Sequence, residues 1–234
     1  MNKMLLSVCA GIGMALSAAA ASADTKIDAG RLTVTFKESD WRASAELPYN
    51  QEINSAQGTF RGKGKVFTLS SPEGAPLAVM YVGATYGQNN VFSHRGECGN
   101  DARFIYIHDL NESKLENFRC VFAGGPYASP ALLKNWTHYL NEASRTVAVA
   151  LPEQTYFTVL RVTARGGLVI QVEALLSREF VGLPDVKAVA EVPALLLPGL
   201  APWADKLAQA AVKALTSFSG ELVVPRVEFS NATK

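Results

Sequence analysis

Alternation of apolar and polar residues is the clearest pattern in the first half of the chain. Between Leu32 and Phe36 every second residue is apolar, which is typical of a β-strand with one buried face. Shorter runs of the same character predict further strands at 41–47, 66–69, 77–82, 104–108 and 118–122. The segment Pro72-Glu73-Gly74 predicts a turn between two of these strands.

A β-hairpin is predicted over residues 156–176. Residues directly opposite each other in a hairpin lie on the same face of the sheet. If the apolar residues Leu160 and Val172 share a face, the residue numbers of every opposite pair must therefore add up to an even number. This condition predicts a three-residue turn at 165–167 with glycine in the left-handed conformation. The other face of the hairpin then contains the polar residues Arg161, Thr163, Gln171 and Glu173.

Two later stretches have the spacing of amphipathic helices. The first begins at Ser129-Pro130, because serine caps free N–H groups and proline is tolerated at the first helical position. Its apolar stripe is Leu132, Leu133, Trp136, Leu140 and Ala143. The second begins at Pro202 and ends before Gly220, after the apolar run 192–200 has been broken by Pro193 and Pro198. Its apolar face is Trp203, Leu207, Ala211, Ala214 and Phe218.

The order of these elements predicts the fold class. A last strand at 222–229 contains Pro225, which confines that strand to an edge or a bulge. Many strands that are adjacent in sequence, followed by two helices, indicate an α+β fold: an antiparallel sheet with two amphipathic helices packed on one face. No linker-like segment interrupts the chain, so residues 24–234 are expected to form a single domain.

The N-terminus has the features of a cleavable signal peptide. Lys3 precedes an apolar stretch over residues 4–20, and Ala21-Ser22-Ala23 forms a small-residue cleavage site. We therefore expect residues 1–23 to be removed and the protein to be periplasmic or secreted. No later segment is expected to be transmembrane.

Charge and cysteine content narrow the function classes. The net charge is +1, and loss of Lys3 leaves the mature chain about neutral, so no global field favours nucleic acid or anionic membranes.

Cys9 leaves with the signal peptide. Cys98 and Cys120 then predict one disulfide in an oxidising compartment. Closing a loop of this length stabilises a fold by about 3 kcal/mol.

Motifs for catalysis, metals and cofactors are lacking in the sequence. It contains no G-x-S-x-G or S-x-x-K motif, and its histidines, His94, His108 and His138, form no metal-binding spacing. The segment Gly62-Lys63-Gly64 begins a dinucleotide-binding pattern, but Phe67 occupies the third glycine position. We therefore expect no metal and no cofactor. His108-Asp109 is the remaining candidate for an acid/base pair.

Two segments are candidates for binding a partner. The first is the polar loop 87–103, which the predicted disulfide at Cys98 would order and thereby favour for binding. Its candidate residues are His94, Arg95, Glu97, Asp101 and Arg103. The second is a row of cations with spacing two, Arg61, Lys63 and Lys65, which a strand would place on one face. Such a row suits an anionic ligand, or alternatively protects an edge strand from aggregation.

Three functional hypotheses follow. The first is an exported, non-enzymatic protein that binds a partner protein or a cell-envelope component through the loop 87–103. The second is an envelope-acting hydrolase with His108 and Asp109 in an acid/base role. The third is a carrier that encloses a hydrophobic small molecule between its sheet and helices.

Overall fold

The computed structural model describes residues 27, 32–37, 40–54, 58–85, 106–109, 119–127, 138–152, 155–164, 168–181 and 192–226. The strands are β1 (Thr33–Phe36), β2 (Arg42–Ala43), β3 (Leu47–Asn54), β4 (Gly58–Ser70), β5 (Pro76–Thr85), β6 (Tyr106–Asp109), β7 (Arg119–Tyr127), β8 (Thr155–Ala164), β9 (Leu168–Ser177) and β10 (Glu221–Val224). The helices are α1 (His138–Thr146) and α2 (Val192–Thr216). These elements confirm the α+β class.

Eight of the strands form one antiparallel sheet in the order β2-β4-β5-β9-β8-β7-β6, and β3 also pairs with β4. The thirteen residues of β4 allow this double pairing, since β3 pairs up to Gly64 and β2 pairs at Phe67 and Thr68. A turn joins β4 to β5 as predicted. In that turn Gly74 has a positive φ of 87°, which glycine adopts without strain.

The β8–β9 hairpin has the predicted register. Leu160 lies opposite Val172, and the last pair before the turn is Ala164 with Leu168. Three residues therefore connect the strands, as expected from the even sum of paired residue numbers. The backbone conformation of 165–167 lies outside the described residues.

The two helices pack on opposite faces of the eight-stranded sheet. Val172 and Glu173 are consecutive residues of β9 and therefore belong to opposite faces. Leu207 of α2 lies in the buried apolar cluster of Val172, whereas the Leu140 N–H of α1 donates to Glu173 Oε2 at 2.7 Å. The expectation that both helices share one face is therefore wrong. Because β9 is buried along almost its whole length, both faces need a covering layer.

Helix α2 corrects the predicted helix start. It begins at Val192 and includes Pro198, although proline removes a backbone donor and normally disfavours a helix interior. Burial of Leu200 and Trp203 against the sheet stabilises this segment. The helix ends at Thr216, so Phe218 lies beyond it and does not belong to its apolar face.

A second, two-stranded sheet consists of the first and last strands in chain order, β1 and β10. β1 pairs in parallel with β10, with Val34 opposite Leu222, so this small sheet adds a parallel pair to the predicted antiparallel sheet. Both residues are buried with α2, and Trp203 Nε1 donates to the Pro225 carbonyl at 3.0 Å. Within the described ranges, no helix combines the length and apolar character needed to cross a bilayer.

Candidate functional site

Polar side chains are buried at the centre of the large sheet, under α1. We define the Glu173 cluster as Tyr49, Tyr81, Tyr139, Gln171 and Glu173. Glu173 is only 1% exposed, and Gln171 is fully buried two residues before it on β9. Side chains separated by two residues lie on the same face of a strand, so both polar groups face α1.

Hydrogen bonds connect the cluster to the first turn of α1. Glu173 Oε2 accepts the Leu140 N–H at 2.7 Å, and Glu173 Oε1 accepts a short hydrogen bond from Gln171 Nε2. The Tyr49 hydroxyl donates to Gln171 Oε1 at 3.2 Å. Glu173 therefore supplies the acceptor that a capping side chain normally provides at a helix N-terminus.

Burial raises the pKa of Glu173 from 4.5 to about 7, because the charged form loses its hydration. The N–H groups of Leu140 and Tyr139, the Gln171 amide and the positive charge of Arg161 act in the opposite direction but do not cancel this effect. Burial also raises the pKa of Tyr49 and of Tyr81, so both phenols stay neutral at physiological pH.

The three tyrosine rings pack against one another and against glycines. The rings of Tyr81 and Tyr139 are stacked at 5.8 Å, and those of Tyr49 and Tyr139 meet edge to face at 4.8 Å. A Cβ at Gly64 would lie 2.3 Å from the Tyr81 hydroxyl oxygen, and one at Gly83 would lie 3.0 Å from the Tyr49 ring. Glycine at these positions therefore provides the space that the aromatic rings occupy.

Removing the buried hydroxyl of Tyr49 and removing that of Tyr81 should affect the free energy of unfolding differently. Among the described residues the Tyr81 hydroxyl has no hydrogen-bond partner, whereas that of Tyr49 donates to Gln171. We expect Tyr49→Phe to lower the free energy of unfolding by about 1 kcal/mol, and Tyr81→Phe to leave it unchanged or raise it slightly. Urea denaturation followed by circular dichroism measures both changes. Equal losses in the two variants would contradict this difference.

A second candidate site is an open groove between β10 and the C-terminal half of α2. We call it the basic groove. It measures about 390 Å³ and contains the side chains of Lys37, Lys206, Lys213 and Glu221. Its remaining described lining residues are Gln209, Ala210, Ser217, Ser219, Val223 and Pro225.

Positive charge dominates the described lining of the basic groove. The three lysines are exposed, and Glu221 already accepts a hydrogen bond from Thr35 Oγ1 at 3.1 Å. Lys213 lies in the last turn of α2, where a cation also stabilises the helix dipole. Lys37 and Lys206 lie outside that turn and are the better positions for testing anion binding.

An exposed aromatic ring lies next to the basic groove. Phe218 is 93% exposed and falls between Ser217 and Ser219, both of which line the groove. A single exposed phenylalanine is not unusual. Its neighbours Ser217 and Ser219 line the groove whereas Phe218 does not, so its ring is a candidate contact at the edge of the groove.

No protein-family model matches this chain, and no curated protein or solved structure shows significant similarity to it. The Glu173 cluster and the basic groove are therefore the basis for a functional proposal.

The binding loop expected at 87–103 lies outside the described residues, and its role stays a prediction. The residues concerned are His94, Arg95, Glu97, Asp101 and Arg103, together with Cys98. Cys120, the other half of the predicted disulfide, is fully buried on β7.

The cation row on β4 is less accessible than the sequence suggests. Arg61 is exposed and Lys63 pairs with Glu46 at 3.1 Å, but Lys65 is only 5% exposed. Lys63 lies between Pro48 of β3 and Ala84 of β5, so β4 is not an edge strand. The edge-protection hypothesis is therefore wrong.

The described histidine positions lie on two separate elements, β6 and α1. His108 and Asp109 are consecutive positions of β6, and consecutive strand positions belong to opposite faces. His138 is exposed and pairs with Glu142 at 3.5 Å on α1. Among the described residues, no group of three potential metal ligands occurs.

The sequence analysis placed Gln171 and Glu173 on the polar face of the hairpin and missed their burial. A signal for it was present. The segment 168–177 is apolar at most positions on both faces, which is typical of a strand covered on both sides. Polar residues inside such a strand are candidates for a buried hydrogen-bonded network.

Proposed function

We propose that the protein is an exported binding protein, acting by binding and not by catalysis, whose basic groove receives an acidic segment of a partner protein. The observation that carries this proposal is the convergence of Lys37, Lys206 and Lys213 on one groove. Because the mature chain is nearly neutral, such a local patch is the feature that would attract an anionic partner.

The shape of the groove favours a chain segment over a flat surface. Its volume of about 390 Å³ lies within the range of sites that enclose small ligands or side chains. Gln209, Ser217 and Ser219 add neutral hydrogen-bonding groups to the lining. These groups suit the backbone of a bound segment, while the lysines suit its carboxylates.

Charge reversal in the groove is expected to weaken binding of an acidic peptide. The probe is a fluorescein-labelled oligoglutamate peptide with one internal leucine, and its anisotropy reports binding at low ionic strength. We expect Lys37→Glu combined with Lys206→Glu to weaken binding by about tenfold, because two attractive contacts become repulsive. Added salt should weaken wild-type binding in the same direction.

The matched control reverses two exposed cations elsewhere, Arg42→Glu and Arg145→Glu. This control variant should bind the peptide nearly as well as the wild type does. Equal weakening in both variants would mean that net charge, and not the groove, determines binding. Stronger, groove-dependent binding to phosphatidylglycerol vesicles than to the peptide would reassign the groove to an anionic lipid.

Phe218→Ala separates the apolar contact from the ionic one. Since the ring is almost fully exposed, the substitution should leave the free energy of unfolding unchanged. It should nevertheless weaken peptide binding, and the loss should be smaller for an oligoglutamate peptide without leucine. Identical losses with both peptides would exclude Phe218 from the binding surface.

A further inference from the structure

The contact between α1 and the large sheet depends on few residues. Among the described residues of this nine-residue helix, Leu140, Ala143 and Ser144 are buried, and Tyr139 stacks on Tyr81 of the sheet. A short helix with so little buried apolar surface belongs to the part of a fold that opens most easily. Other interactions must therefore help to hold α1 in place.

Glu173 provides such an interaction. The first N–H groups of a helix need acceptors, and the first turn of α1 contains no acidic side chain of its own. The carboxyl group of Glu173, which belongs to β9, takes this place by accepting the Leu140 N–H at 2.7 Å. Opening of α1 would remove this partner and expose the carboxyl group to water.

We propose that Glu173 is a pH-sensitive contact: α1 stays closed on the sheet while this carboxyl group is protonated, and its ionisation favours local opening of α1. This inference is independent of the proposed function. It rests on a buried titratable group that is bonded to the first turn of α1. In the open state the tyrosines of the Glu173 cluster would become accessible.

The direction follows from the hydration of the carboxylate. Its pKa is about 7 in the closed state, and it should return towards 4.5 once α1 opens and water reaches the group. The equilibrium constant for opening therefore rises up to tenfold per pH unit across this interval, or roughly 300-fold in total. Above pH 7 the group is ionised in both states and the constant levels off.

Other titratable groups surround this contact. Arg161 of β8, Tyr49 of β3, Tyr81 of β5 and Tyr139 of α1 face Glu173 from the neighbouring elements. On the exposed side, α1 contains His138, Glu142 and Arg145. His138 is the histidine on this helix, so its contribution to any pH dependence must be separated from that of Glu173 by a variant.

Amide hydrogen exchange of the intact protein, measured by NMR between pH 5 and pH 8, tests the inference. After correction for intrinsic exchange rates, the protection of the Leu140 amide and of later α1 amides should fall by up to about 70-fold between pH 5 and pH 8. Amides at the centre of β5 and β9 should keep greater protection at every pH. A pH-independent protection of α1 in the wild-type protein would overturn the proposal without any variant.

Two variants assign the effect to a residue. Glu173→Gln keeps the size of the side chain and an acceptor oxygen but cannot ionise, so α1 protection should no longer depend on pH. His138→Gln should retain the wild-type dependence. If instead His138→Gln removes the dependence, or Glu173→Gln retains it, Glu173 is not the controlling group.

Discussion

The free energy of unfolding should fall by about 3 kcal/mol as the pH rises from 4.5 to 7, and this fall should disappear in Glu173→Gln. The pKa of Glu173 is 4.5 when the chain is unfolded and about 7 when it is folded. Between these values the folded protein binds more protons than the unfolded chain, so stability decreases as protons are removed. Below pH 4.5 the contribution is fully present, and above pH 7 it is absent.

Urea unfolding at a series of pH values measures this dependence. We expect Glu173→Gln to resemble the wild-type protein at pH 4.5 and to be more stable than it at pH 8, because the amide avoids the burial of a charge. The new side-chain amide at position 173 can donate a hydrogen bond, so the amide of Gln171 must rotate to accept it through its oxygen. The NH₂ group of Gln171 then faces the Tyr49 hydroxyl oxygen.

Glu142→Gln is the matched control, since this second glutamate lies on the exposed side of α1. Its unfolding curve should retain the wild-type pH dependence. If Glu173→Gln is instead less stable than the wild type at pH 8, the ionised carboxylate contributes more through its hydrogen bonds than it loses through burial.

Local patterns predict many strands of the antiparallel sheet, although they miss β3 and most of β4. Alternating apolar and polar residues indicate strands. Because Leu160 and Val172 must share a face, the paired residue numbers of β8 and β9 must have an even sum, as observed. Such inferences depend on neighbours in sequence. The parallel pairing of β1 with β10 has no such signal, since Thr35 and its hydrogen-bond partner Glu221 are 186 positions apart.

The errors at the two ends of α2 have different physical causes. The sequence analysis lets Pro198 break the apolar run and begins the helix at Pro202, but burial of apolar residues outweighs the loss of single backbone hydrogen bonds. Phe218 continues the apolar spacing of α2 yet lies beyond its end at Thr216. Periodicity alone does not locate the end of a helix, and so Phe218 was not recognised as an exposed residue.

The candidate sites could be predicted only in part, because both depend on contacts between distant elements. The Glu173 cluster combines residues of β3, β5, β9 and α1. The basic groove brings Lys37 next to Lys206 and Lys213, which requires the β1–β10 pairing. The sequence-predicted cations on β4 share a face as expected, but burial of Lys65 removes one of them from the surface.

Gly62→Ala should destabilise the protein more than Gly64→Ala, the other glycine substitution considered in β4. A Cβ at this position would lie 2.0 Å from the carbonyl oxygen of Ala84, which is backbone of the neighbouring strand β5. A flexible side chain can rotate away from such a contact, but a paired backbone can move only by separating the strands. We therefore expect a loss of about 3 kcal/mol or more in the free energy of unfolding, at the upper end of overpacking effects.

Gly74→Ala is the control for this substitution. Its Cβ would meet no atom within 4 Å, but the φ of 87° imposes left-handed strain of about 1 kcal/mol. Urea unfolding should therefore give a clearly larger loss for Gly62→Ala than for Gly74→Ala, and Gly64→Ala should also be costly because its Cβ would meet the Tyr81 ring. The reverse order would show that β4 and β5 separate easily. A larger loss for Gly62→Ala and Gly64→Ala than for Gly74→Ala would explain why the segment Gly62-Lys63-Gly64 occurs without a phosphate-binding loop. Its two glycines allow the backbone of β5 and the Tyr81 ring to approach β4 closely.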